Sequence, residues 1–201
     1  MKKNNLPVFP LELVALPGSI QYLQIFEPRY VKMVKDCMLN NYGFVIAFQR
    51  STSTNEFEIS KKGSYVEIID FNNLSNGLLG ITVKSINKVI LKDLTQLKDG
   101  LNISKVDPLV DPEVDDQALL AEFTELSNIL NQLVKHPRIS NLPLEVDFNS
   151  ADSVAYHLGG LIPIPLSYKQ NLLEAFDANQ RLIILSKYID VTSLHVIKRS
   201  L

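Results

Sequence analysis

The chain has no tryptophan and one cysteine, Cys37, among 201 residues. A single thiol excludes an intrachain disulfide and a cysteine-rich zinc site, and it fits a reducing compartment. Glycine is scarce as well, at eight residues, and neither G-x-x-x-x-G-K-[ST] nor G-x-G-x-x-G occurs. Phosphate-cradling loops need backbone amides freed by glycine, so nucleotide hydrolysis has no motif here. Positive charge is not in excess: 20 Lys and Arg against 22 Asp and Glu leave a net charge of -2. No long-range field draws the chain to phosphate backbones, and nucleic acid is disfavoured as a partner. Basic residues gather only in pairs, Lys2 with Lys3, Lys61 with Lys62 and Lys198 with Arg199.

Long apolar runs are missing too. The opening "MKKNNLPVFPLELVALPG" sets two lysines before an apolar stretch, but Pro7, Pro10, Glu12 and Pro17 cut it into pieces too short for a signal sequence. No segment approaches membrane-spanning length. A cytoplasmic protein with no membrane partner is expected, in which the sequons at Asn73 and Asn102 stay idle.

Catalytic groupings are equally sparse. His136, His157 and His195 lie far apart, with no H-x-H or H-x-x-x-H pair, so no metal site is expected. No G-x-S-x-G elbow exists, and Cys37 falls on an apolar helical face, where thiols are inert. Asp115 and Asp116 sit at a helix start, where negative charge serves the helix dipole. The reading is of a non-enzyme that needs no cofactor.

What is present is an ordinary globular composition, 46% hydrophobic and 21% charged. Two halves of different periodicity meet near "DPLVDP", residues 107–112. Short apolar runs rich in β-branched and aromatic residues fill the first half: residues 19–26, 44–49, 64–70, 78–86, 88–94 and 101–106. Many short strands with frequent turns argue for a barrel or sandwich. One helix interrupts them, with Tyr30, Met33, Val34, Cys37 and Met38 on one face and Pro28 at its first position.

After residue 111 the period becomes helical. Asp111 and Pro112 read as N-cap and first position of a helix carrying Leu119, Phe123, Leu126, Leu130 and Leu133, which ends before His136. A helix from about 150 to 158 stops at Gly159 and Gly160. "LIPIPLS" then runs extended as a connector. Two further helices begin at Ser167 with Gln170 and at Asp177 with Gln180, each at capping-box spacing; the last carries Leu182, Leu185 and Ile189. The fold class is therefore α+β, a β-rich part over residues 1–110 and a helical part over 111–201.

The run "QIFEPRY", residues 24–30, admits two readings. In one, Glu27 and Pro28 start the helix, Phe26 and Tyr30 fill the core, and Arg29 pairs with a carboxylate or carbonyl. In the other, Arg29 or Tyr30 lines a ligand groove between the two halves.

The phrase "LPVFPLELVALPGSIQYLQIFEPRYVKMV" resembles the opening of the Lon-protease N-terminal domain family. The resemblance rests on Leu6, Pro7, Phe9, Pro10 and Leu11, on the Pro17–Gly18 turn, and on Leu23 and Ile25 through Tyr30 with Met33. "KGSYVEI" (62–68) is similar to the family's next glycine-led strand. Residues 161–189 are similar to its closing helices, through Lys169, Gln170, Leu172, Leu173, Glu174, Arg181 and Leu182. Where the family often has a glycine, then an arginine and an aromatic residue, this chain has Ser85, Lys88 and Val89, and no role carried by that arginine is implied.

The resemblance implies a β-rich pseudo-barrel like the pseudouridine-synthase-associated (PUA) RNA-binding barrel, followed by a helical subdomain. It also implies a part that engages protein substrates without the motor or the Ser-Lys protease domain, as a stand-alone binding module. The expected partners are unfolded or partner polypeptides. Phe26, Glu27, Arg29 and Tyr30 are the candidate substrate-binding residues. A small-molecule or RNA binder on the same barrel is the alternative.

Overall fold

The structure, a computed structural model, describes residues 5–51 and 57–199, with side chains described as far as residue 189. His195, Lys198 and Arg199 therefore lie outside the described side chains, and Lys2 and Lys3 outside the described residues. The chain forms two compact units, Met1–Leu109 and Val110–Leu201.

The first unit contains β1 (Leu6–Leu11), β2 (Ile20–Ile25), α1 (Pro28–Asn40), β3 (Phe44–Ser51), β4 (Phe57–Asn73), β5 (Leu79–Gln96) and β6 (Asn102–Pro108). Its six strands run in the order β2-β5-β4-β3-β1-β6, and β6 pairs again with β5. That second pairing closes β5, β4, β3, β1 and β6 into a barrel, which removes most of the sheet's open edges. β2 lies along Leu79–Lys84 of β5 and β6 along Val89–Gln96, so the two share one edge of the same long strand. Register shifts between Tyr65 and Val66, between Ile68 and Asp70, and between Lys92 and Thr95 bend these strands as closure requires.

Two details differ from the sequence reading. Residues 78–86 and 88–94 form one strand, because Ser85 and Asn87 both find ladder partners on β4. "LPVFPL" is a strand despite its two prolines. Pro7 pairs with Ile103 of β6 and Pro10 with Ala47 of β3, and neither is paired on both sides. Each proline thus faces its missing N–H away from a ladder. The parallel β1–β3 pairing sets Val8 beside Val45 and Phe9 beside Ile46.

The barrel core gathers Phe9, Ile25, Tyr30, Met33, Cys37, Phe44, Ile46, Val66, Ile81 and Val83. α1 supplies its buried face from Tyr30, Met33, Val34 and Cys37, whereas Met38, expected on that face, is 40% exposed. Backbones approach closely at Gly63, where a Cβ would stand 2.6 Å from the Ile46 carbonyl oxygen. The Ser64 and Ser85 hydroxyls both donate to the buried Ala15 carbonyl, Ser85 at 3.2 Å, and pin the loop between β1 and β2.

The second unit contains α2 (Asp116–Glu122), α3 (Thr124–Val134), α4 (Ala151–Leu161), α5 (Leu166–Glu174) and α6 (Ala178–Arg199). The first helix starts later than the Asp111–Pro112 reading placed it. Asp115 is its N-cap, accepting from Ala118 N at 3.0 Å, while Asp111 is ion-paired with Arg181. The helix also breaks at Phe123, and the Thr124 hydroxyl caps the break by donating to the Ala121 carbonyl at 2.7 Å.

α4 runs through Gly159 and Gly160 to Leu161 and ends because Ile162, extended with ψ 148°, precedes Pro163. α5 begins at Leu166 behind Pro165, so Ser167 is not its cap, and the Gln170 amide instead donates to Glu174 at 2.7 Å. At α6 the capping reading holds: Asp177 accepts from Gln180 N at 2.8 Å and the Gln180 side chain reaches back to Phe176 N at 2.7 Å.

Candidate functional site

The run 24–30 carries the chain from β2 into α1. Pro28 takes the first helical position, and Glu27 is the extended N-cap residue, without a side-chain cap bond. The Glu27 carbonyl accepts from Tyr30 N at 2.9 Å and Val31 N at 3.0 Å. With its carboxylate not needed as a cap, Glu27 pairs with Arg29 Nη2 at 2.7 Å. Arg29 Nη1 donates to the Gly100 carbonyl at 2.8 Å. Its guanidinium lies 4.7 Å from the centre of the Tyr30 ring, within cation–π range. The Tyr30 ring stacks on Phe9 with centroids 4.0 Å apart.

Of the two residues expected in the core, Tyr30 is there at 5% exposure and Phe26 is not. Phe26 is 68% exposed. It follows β2 in the outward phase of the strand's alternation, after Tyr22 and Gln24, which face solvent, whereas Ile25 is buried.

All four candidate residues border one small cleft of about 230 Å³, with Phe9, Pro10 and Leu11 of β1 and Gln24 and Ile25 of β2. Its lining includes no His, Cys, Ser or Lys. Burial raises the Tyr30 pKa above its usual 10.0; the Arg29 charge lowers it and Glu27 raises it, each by less. The phenol therefore stays protonated at neutral pH and is no general base there. The cleft thus sets an exposed aromatic ring beside the Glu27–Arg29 ion pair.

Two larger open clefts flank α1. One of about 600 Å³ is lined by Met33, Leu39, Leu97 and Leu101 with Lys32 and Asp99, and one of about 800 Å³ by Tyr42, Tyr65, Asn87 and Val106 among others. Both mix apolar and polar walls, and nothing in the sequence pattern singles them out. Likewise no spacing links Arg29 to Gly100, 71 residues away.

The residues weighed for catalysis have structural partners. Cys37 is buried with Sγ 3.8 Å from the Gly43 carbonyl oxygen, Asp115 caps α2, and Asp116 accepts from Ala151 N at 2.8 Å. His157 Nδ1 meets the Ser153 carbonyl at 2.8 Å, and His136 accepts from Arg138 N at 3.3 Å. Among the described residues no three His, Cys, Asp or Glu side chains come together as a metal site would need, and no helix is long and apolar enough to cross a membrane.

Residues 5–191 match the family model of the ATP-dependent protease La (LON) substrate-binding domain. The chain belongs to the Lon substrate-binding domain family. This Lon domain is 25% identical over 198 residues to Lon protease 1 of Bacillus subtilis, covering 94% of the chain and 25% of that protein. It is 23% identical over 189 residues to Lon protease of Escherichia coli K12, covering 89% of the chain and 24% of that protein. The chain thus spans about a quarter of the length of the curated relatives it matches.

Among solved structures it is similar to the Lon N-terminal domain protein from Xanthomonas campestris. That match has a TM-score of 0.76 and 25% identity, covering 92% of this chain and 98% of that one. The N-terminal domain of the Mycobacterium avium complex Lon protease shares the fold, with a TM-score of 0.70 at 18% identity, covering 95% of this chain and 99% of that one. The α+β class read from the two periodicities is that of these domains.

Proposed function

We propose that this chain is a non-catalytic module that holds unfolded or partner polypeptides through the surface around β2 and the 24–30 run. The observation that carries the reading is the exposure of Phe26 beside a cleft whose lining holds no His, Cys, Ser or Lys. Large exposed aromatic side chains are favoured where a partner is bound, and apolar anchors supply most of the affinity of such surfaces. Membership of a substrate-binding domain family supports a polypeptide as the ligand. Holding would combine apolar contact with main-chain hydrogen bonding and would need no cofactor and no turnover.

The test is to titrate the pure protein with fluorescently labelled, reduced and carboxymethylated α-lactalbumin. Anisotropy follows binding and mass spectrometry follows the intactness of the chain. Saturable binding with the substrate uncut is the expected result. Binding no tighter than that to a folded protein of matched charge, or the appearance of fragments, would overturn the reading.

A further inference from the structure

β2 has one paired edge and one open edge. The Ser85 N–H donates to the Ser19 carbonyl at 2.9 Å, and the register then sets Gln21 opposite Val83, Leu23 opposite Ile81 and Ile25 opposite Leu79. Hydrogen-bonded pairs recur at every second residue of an antiparallel ladder. Gln21, Leu23 and Ile25 therefore turn their backbone groups to β5, and the N–H and C=O of Ile20, Tyr22 and Gln24 point the other way. Among the described residues β2 pairs with no strand except β5, and no turn or loop backbone bonds to those three residues.

Such an edge is normally guarded by lysine, proline or a bulge, because unpaired backbone groups template the addition of another strand. "IQYLQI" has no charge and no proline, and its pairing with β5 shows no register shift. Its outward face shows Tyr22 at 66% exposure, then Gln24, and Phe26 follows in the same phase. Gln24 and Ile25 border the cleft that Phe9–Leu11 also line, and there Pro10 and Leu11 pair with β3 but not with β6. The Glu27–Arg29 pair leaves that end of the edge close to neutral.

We propose that the open edge of β2 takes an extended, uncharged polypeptide segment as an added strand. The main chain of the segment bonds to Ile20, Tyr22 and Gln24, and its alternate side chains lie against Tyr22 and Phe26. The inference rests on the polypeptide-holding reading and adds to it the mode and the place. An extended backbone is the ligand chemistry that matches a row of alternating donors and acceptors at strand spacing. Side chains at opposed and diagonal positions add contact with the two rings.

The probe is a short soluble peptide that alternates valine with threonine, used plain and in two forms carrying N-methyl groups on alternate residues in opposite phase. N-methylation removes amide donors and blocks close approach while keeping the side chains. The expected result is that the plain peptide binds and one phase of methylation weakens binding about tenfold or more, the other much less. Gln24→Pro removes an outward N–H without touching a bond to β5, and it is expected to weaken the plain peptide similarly while Gln24→Ala does not. Should Gln24→Pro fail to fold, the methylated pair decides the matter with the unaltered protein.

Equal binding of all three peptides, with carboxymethylated α-lactalbumin still bound, would overturn strand addition and leave the polypeptide reading standing. Failure of both probes would remove both. A concentration-dependent dimer that vanishes in Gln24→Pro, with no peptide bound, would also overturn the proposal, since a second copy would then be the occupant.

Discussion

Phe26 and Tyr30 stand four residues apart in one motif and do opposite things. Tyr30 is buried, stacked on Phe9 and within cation–π range of Arg29, whereas Phe26 is 68% exposed. Phe26→Ala is therefore expected to change unfolding free energy by no more than about 0.5 kcal/mol, while weakening polypeptide binding. Arg29→Ala removes a charge-assisted bond to Gly100 and is expected to cost about 1–2 kcal/mol in urea denaturation. If Phe26→Ala proved the more destabilising of the two, the division of labour between them would be wrong. Alkaline pH supplies a second residue-level test. Burial raises the pKa of Tyr30 and Tyr65 above 10.0. A group with a raised folded pKa contributes stability in full below its unfolded pKa and loses it as pH climbs through the folded value. Stability is thus expected to fall as pH rises past about 10, with the phenolate absorbance of the buried rings appearing together with unfolding. Tyr30→Phe should lessen that fall.

At the scale of elements, the polar centre of the second unit is Arg181 on α6. Fully buried, it pairs with Asp111 and Asp152 and donates to the Leu172 carbonyl at 3.1 Å and the Ala175 carbonyl at 3.2 Å. Its guanidinium lies 4.5 Å from the Tyr156 ring centre, and burial is the main reason the Tyr156 pKa is pushed far up. Truncating one partner of a buried network strands the rest, so Arg181→Ala is expected to cost about 3–5 kcal/mol, read as loss of helical ellipticity at lower urea. A cost below about 1 kcal/mol would mean that solvent already screens the pair. This cluster also shows why some elements could be read from sequence and others could not. The faces of α1 and α6 follow from 3.6-residue periodicity, and the Asp177–Gln180 cap from local spacing. Asp111 looked like a cap because its local pattern allows one, but a tertiary partner 70 residues away claimed its carboxylate. The same applies to β1, whose prolines argue against a strand until its staggered pairing with β3 and β6 is known. At the candidate site the helix start was legible, whereas the exposure of Phe26 and the Arg29–Gly100 bond depend on which way the barrel turns each strand.

At the scale of the whole molecule, the two units hold themselves together by different kinds of contact. Every strand pairing of the barrel lies within residues 6–108, including the β5–β6 pairing that closes it. In the helical unit α4 packs against α6, α3 and α5, and the longest-range links, α3 with α6 and Asp111 with Arg181, are closer in sequence than β1 with β6. Folding speed falls as contacts become less local, because loop closure must precede the contacts that reward it. β1 with β6 spans nearly the whole barrel sequence, so the barrel should form slowly and the helices quickly. Refolding of the full chain from urea is then expected in two phases, a fast gain of helical ellipticity followed by a slower burial of the Tyr30 and Tyr65 rings. Arg181→Ala should accelerate unfolding of the helical phase, the Tyr156 signal moving with it, and leave the slower Tyr30 and Tyr65 phase unchanged. A chain of residues 1–109 should fold alone with a cooperative transition and the same slow phase. A fragment that stayed unstructured, or a single transition shifted equally for both probes by Arg181→Ala, would show that the barrel and the helices fold as one cooperative body.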